Sequence, residues 1–276
     1  GDFALADGDT EPMPGRRPSE SKVRAVHNRR WPLPPFGEWK ENQARLRLDT
    51  PAALPDSGFP VRAGIPFPPG KVNDTGKVRL QTADAKGISA GKTITSRWPD
   101  DSLRWVTFDF IAKPDYETVD LVFEKDYARA AAKISLREKE TELDADCGMI
   151  RFRAATGDPL AGVSWKGKEK IARLRLNLRS GNQQIPGSVS FFRSLEEGPL
   201  RTALALEGTF DTLRKPVGSF TLYITAWLNQ PWLELTLRIF NDTQEPLMVS
   251  ALELIFDLAE KPENFQVMGQ PAAPPP

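Results

Sequence analysis

The chain has 276 residues, and its 37 lysines plus arginines are matched by 37 aspartates plus glutamates, so the formal charge is zero. No long-range field draws such a chain to nucleic acid or anionic lipid, which removes those partner classes. Hydrophobic residues make up 39%, and no run approaches the roughly 18 to 20 apolar residues of a spanning helix, so a membrane protein is excluded; the length points to two compact units.

Residues 1–40 mix Gly, Pro, Asp and Arg without periodicity. They include WPLPPFGEW, Trp31 to Trp39, which favours extended polyproline geometry, and they read as an irregular tail or strap. The opening GDFALADGDTEPMPG has neither an initiator methionine nor the apolar core of a signal peptide, as in a mature or truncated start. Beyond it, apolar and polar residues alternate with the period of half-buried strands. Leu46 and Leu48 alternate with Arg45 and Arg47, and Val106, Phe108 and Phe110 alternate with Trp105, Thr107 and Asp109. Val119, Leu121 and Phe123 close this first group. The one helical candidate, DYARAAAK from Asp126 to Lys133, is a turn or two long and stands between the groups.

The second group is better patterned. Ile150 and Phe152, then Leu174, Leu176 and Leu178, then Phe220, Leu222, Ile224, Ala226 and Leu228 each mark one face of a strand. After the turn NQP, Asn229 to Pro231, Leu233, Leu235, Leu237 and Ile239 face one way and Glu234, Thr236 and Arg238 the other, which predicts a hairpin. Leu252, Leu254, Phe256 and Leu258 supply one more strand. The 25 prolines exceed the average of about 5%, and proline is kept out of helix interiors and central strands, so they suit loops, edges and straps. The end, GQPAAPPP, has the composition of a semi-rigid spacer.

Few residues offer chemistry. His27 is the sole histidine and sits in the irregular tail, so Ser-His-Asp, Cys-His and multi-histidine metal arrangements are unavailable. Cys147 is the sole cysteine and cannot close an intramolecular disulfide; it reads as a buried inert thiol. A secreted or periplasmic setting is compatible with that count, because large cores dispense with disulfides. The acidic pairs Asp100 with Asp101, Glu196 with Glu197, and Asp144 with Asp146 read as turn chemistry and solvated strand ends. NDT at Asn73 and Asn241 reads as a turn at both places, and Arg173 with Arg175 as a solvated strand face. No phosphate-binding glycine loop is present, and neither a cofactor nor a metal is expected.

The densest stretch is SRWPDDSLRWVTFDF, Ser96 to Phe110. Trp98-Pro99 enters a turn in which Asp100 and Ser102 can accept backbone N–H groups, and a strand starts at Leu103. Trp105, if packed in a core, would cost about 3 to 5 kcal/mol on truncation to Ala, whereas an exposed Trp98 could stack on a sugar ring. Trp98, Arg104 and Trp105 are the candidate substrate-binding residues.

Together, GFPVRAGIPFPPGKV (Gly58 to Val72) and SRWPDDSLRWVTFDF resemble the N-terminal RIFT-barrel domain of rhamnogalacturonan exolyase and YetA-like proteins. That family has a V-R-x-G-x-P-x-P-x-G segment before an R-W-P-D-G-S-x-R-W corner. DADCGMIRFRA and LEEGPLRTALALEGTF (Leu195 to Phe210) are similar to segments of its central β-sandwich, so the resemblance covers about residues 45 to 260. Asp101 stands where the family has glycine, and no counterpart of the family's α/α toroid is present. The resemblance implies an all-β chain: a tail over 1–40, a small RIFT-type barrel over 41–130, an antiparallel β-sandwich over 131–262 and a Pro-rich tail over 263–276. It further implies the non-catalytic front part of a polysaccharide-lyase-like protein, inactive alone. Its partners would be an acidic polysaccharide and a toroid domain or subunit, with no nucleic acid and no membrane. A stand-alone carbohydrate-binding or partner-docking module is the alternative.

Overall fold

The computed structural model describes residues 39–40, 43–48, 57–123, 133–212, 216–242 and 248–260. Eight strands come first: β1 (Trp39–Lys40), β2 (Gln43–Arg47), β3 (Phe59–Pro66), β4 (Val78–Thr82), β5 (Gly87–Ile88), β6 (Ala90–Arg97), β7 (Leu103–Ala112) and β8 (Thr118–Phe123). They form two antiparallel sheets, in the orders β1-β2-β8-β4-β5 and β3-β7-β6. The sheets close a small barrel on one core, because alternate side chains of each strand turn inward. Val106, Phe108 and Phe110 of β7 are fully buried against Leu80, Val119 and Leu121, and Trp105, Thr107 and Asp109 take the outer face. Pro60 and Pro66 fit because β3 is an edge strand and both share one register parity. The odd-numbered Phe67 donates its N–H to the Arg104 carbonyl at 2.9 Å, so the even positions face away from β7.

Ten strands follow: β9 (Ser135–Glu138), β10 (Glu142–Asp146), β11 (Ile150–Ala155), β12 (Val163–Trp165), β13 (Lys168–Ser180), β14 (Gln183–Glu197), β15 (Arg201–Asp211), β16 (Pro216–Trp227), β17 (Leu233–Phe240) and β18 (Ala251–Leu258). They run as one antiparallel sheet, β17-β16-β15-β14-β13-β12-β11-β10-β9, with β18 paired to β13. This sheet bends over a single second core, giving the sandwich. The hairpin expected around Asn229 forms, with Ala226 opposite Leu233 and Ile224 opposite Leu235. Gly208 has a packing reason: a Cβ there would lie 2.2 Å from the Ser188 carbonyl oxygen and 2.5 Å from the Phe220 ring.

β18 is a strand, as its alternation predicts, but among the described residues its apolar side is only partly covered. Leu252, Leu254, Phe256 and Leu258 remain 38 to 42% exposed, although they continue the face of Leu178, Leu176 and Leu174 on β13, which are buried. The core layer ends under β13.

Several expectations lie outside the described residues: His27, the tail before Trp39, the helical candidate up to Ala132, the Pro-rich end and the change from barrel to sandwich near 130. Among the described residues the one helical element is a 3-10 turn, Thr75–Lys77, where Asp74 caps the Gly76 N–H at 2.8 Å; this is the turn expected at the first NDT. No helix among them is long and apolar enough to cross a membrane.

Candidate functional site

The corner between β6 and β7 is built by the side chains its sequence suggested. Asp100 Oδ1 accepts from the Ser102 N–H at 3.0 Å and from the Ser102 hydroxyl at 2.6 Å, while Ser102 Oγ accepts from the Gly70 N–H at 2.9 Å. These bonds to the ionised form hold the Asp100 carboxyl below its ordinary range. Asp101 has φ of +65°, the left-handed region a glycine would occupy without strain. The two acids are therefore turn chemistry.

The three candidate substrate-binding residues separate into two groups. Trp98 is half-buried: its indole N–H donates to the Phe67 carbonyl at 2.9 Å, and the Arg104 guanidinium lies over its ring at 4.8 Å. Both therefore serve the corner. Trp105 is on the outer face, 41% exposed, because strand alternation turns it away from the core that Val106 enters. The benzo edge of its ring sits over Gly64, 3.7 Å from where a Cβ would stand, so the indole lies against bare backbone of β3. Beside it, the Thr95 and Thr107 hydroxyls are 3.1 Å apart. The outer face thus offers an aromatic plate with adjacent hydroxyls.

Along β7 the same face runs from Trp105 to Asp109, about 13 Å at strand rise. At Asp109 it meets the sandwich. Arg62 of β3 donates to Glu196 of β14 at 2.6 Å, and Arg201 of β15 also bonds Glu196 and lies over Trp227 at 5.8 Å. Asp109 stands beside them, 2% exposed, with Oδ1 at 3.8 Å from Arg62 Nε and without a hydrogen-bond partner on that oxygen. Burial, reinforced by the Glu196 charge against the opposing arginines, raises Asp109 to about 6. No local pattern in the sequence announces this junction. It changes the reading of Glu196, which is not a free solvated strand end but a half-buried anchor between two arginines. Arg62, Glu196 and Arg201 all come from segments that carried the resemblance, V-R-x-G and E-x-G-P-x-R, whose convergence across the fold could not be read from spacing.

On the other side of β6 a cleft of about 780 Å³ separates the barrel from the sandwich, lined by Arg79, Lys92 and Lys133 together with Ile88, Leu136 and Pro199. Lys92 donates to the Thr75 carbonyl at 2.9 Å and also to the Val78 carbonyl, and burial lowers its pKa.

The remaining candidates take structural places. Cys147 is buried and pushed up to about 12 by burial and the neighbouring Asp146 charge. Arg173 pairs with Asp158 at 2.7 Å and Arg175 with Asp257 at 2.8 Å, while Asp146 pairs with Arg151 at 2.9 Å. Among the described residues no three His, Cys, Asp or Glu side chains group as a metal site.

A family model described as the PcRGLX-like N-terminal RIFT barrel domain matches residues 46–122. The barrel is a RIFT barrel. Its match is of the rhamnogalacturonan lyase-like kind, and it covers the segment that holds Arg62, Trp98, Trp105 and Asp109. No curated protein matches the chain. Among solved structures it is similar to an alpha-mannosidase from Enterococcus faecalis V583, at 12% identity and a TM-score of 0.43 over 73% of this chain. The aligned region spans 30% of that mannosidase chain.

Proposed function

We propose that this chain is the non-catalytic β front part of a polysaccharide-lyase-like protein, in which the outer face of the RIFT barrel extends the binding of a pectic or other acidic glycan. Trp105 carries the reading. An indole that is 41% exposed on the outer face, with its benzo edge over Gly64, offers aromatic surface on which a pyranose ring stacks. The barrel match to a rhamnogalacturonan lyase-like family model supports the glycan class. Trp98 and Arg104 act one step back, holding the corner from which Trp105 projects. A secreted or periplasmic setting follows from such a substrate.

Lyase chemistry does not reside in this chain alone. Elimination next to a uronate carboxylate needs a base that reaches the C5 proton, and Asp109, raised to about 6 among the described residues, is sealed in the junction. Purified chain is expected to release no ultraviolet-absorbing unsaturated uronate from rhamnogalacturonan. The binding test is a titration with rhamnogalacturonan oligosaccharides followed by tryptophan fluorescence. Saturation in the native chain and its loss in Trp105→Ala support the reading; a flat titration at millimolar sugar defeats it.

A second reading, docking onto an α/α toroid domain or subunit, is favoured by the partly covered row Leu252, Leu254, Phe256 and Leu258. Co-purification of the chain with a toroid subunit, abolished by Phe256→Asp, would support it. Unchanged co-purification in that variant would remove the row from the interface.

A further inference from the structure

We propose that the cleft between barrel and sandwich is a binding site distinct from Trp105, seating one sugar ring that carries a carboxylate. Its volume of about 780 Å³ falls within the roughly 300 to 1,000 Å³ of small-molecule sites, and it lies between two cores, where such sites concentrate. Arg79, Lys92 and Lys133 bring three positive charges to its wall against the two negative charges of Asp74 and Glu197. Lys92 sets the polarity. Its ammonium is tied to the carbonyls of Thr75 and Val78, so it stays at the wall and does not extend into bulk water. Burial disfavours this ammonium and the Asp74 charge offsets part of that cost, so a ligand anion in the cleft would add to the same compensation. Between these charges, Ile88 of the barrel and Ile134, Leu136 and Pro199 of the sandwich are apolar and suit the C–H face of a pyranose. A ligand with an anionic edge and an apolar face matches this mixed lining, and a uronate residue has both.

This inference rests on the acidic-glycan reading but uses the opposite side of β6. Ala90 and Lys92 line the cleft, whereas Gly91 pairs with Asp109 on the face of β7 that carries Trp105. The full chain is titrated by calorimetry with galacturonic acid and with its neutral methyl ester. Saturable binding of the acid is expected, about tenfold weaker for the ester, with a similar loss in Lys133→Glu and a larger one in Lys92→Met. Lys133 is exposed, so its variant tests the charge even where Lys92→Met fails to fold. Equal binding of acid and ester, unaltered affinity in Lys133→Glu, or no saturation at millimolar acid would each overturn the cleft. None of these touches the fluorescence response of Trp105 to oligosaccharide, so the two failures are distinguishable.

Discussion

Arg62 of the barrel donates to Glu196 of the sandwich at 2.6 Å across 134 positions of sequence. With Arg201 on the other side of Glu196 and Asp109 beneath, this contact ties the two cores together. The Arg201 and Glu196 side chains are 16% and 17% exposed and that of Arg62 37%, so solvent screens part of this network. Glu196→Ala is therefore expected to lose about 1 to 2 kcal/mol in urea denaturation and to split a single transition into separate barrel and sandwich transitions. An unaltered midpoint and a single transition would show that the junction does not couple them.

Asp109 makes this junction respond to acid. Its folded pKa of about 6 lies above the ordinary 3.8, so between roughly pH 4 and pH 6 the folded chain keeps a proton that the unfolded chain has released. The stability contributed by protonated Asp109 is complete below about pH 4. It is lost as pH rises through about 6, where the charge must be borne among Arg62, Glu196 and Arg201. Asp109→Asn stays neutral throughout, so the stability of the native chain relative to this variant should fall across that window. A difference constant from pH 4 to pH 7 would contradict the assignment.

At the corner, Asp101 holds a left-handed φ of +65°. Glycine relieves that strain, and the exposed pairing of Asp101 with Arg97 at 3.6 Å contributes little. Asp101→Gly is expected to stabilise by about 0.5 kcal/mol and Asp101→Val to destabilise by about 1 to 2 kcal/mol. Thermal melts of the two variants give the order, and a more stable valine variant would refute the strain.

Trp98 and Trp105 should behave differently on substitution. Trp98→Phe removes the donor to the Phe67 carbonyl and is expected to cost about 1 kcal/mol, whereas Trp105→Ala removes a surface side chain and should cost less than a core tryptophan would. A loss of about 3 to 5 kcal/mol for Trp105→Ala would mean that its ring is packed, not open.

Cys147, fully buried with its thiol raised to about 12, should resist alkylation in the folded chain and react at once in denaturant. Fast labelling of native protein would show that the strand entrance at Asp146 opens readily.

The all-β class was legible because period-two alternation is strong where one face is buried, as in Val106 to Phe110 and Leu233 to Ile239. β3 was not legible as a strand: Pro60, Gly64 and Pro66 break the pattern, and only its place at a sheet edge makes them tolerable. The outward turn of Trp105 follows from the same alternation that buries Val106. The Arg62, Asp109, Glu196 and Arg201 junction depends on the docking of two separate cores, and no local period encodes that. β18 shows the converse: its pattern announces a buried face, and the described residues leave it only partly covered.

The glycan reading comes down to which indole meets sugar. The indole N–H resonances of Trp98 and Trp105, assigned by the Trp98→Phe and Trp105→Phe variants, can be followed as rhamnogalacturonan oligosaccharide is added. Saturable movement of Trp105 with Trp98 fixed is the predicted result. Both resonances unmoved at millimolar oligosaccharide would contradict the account.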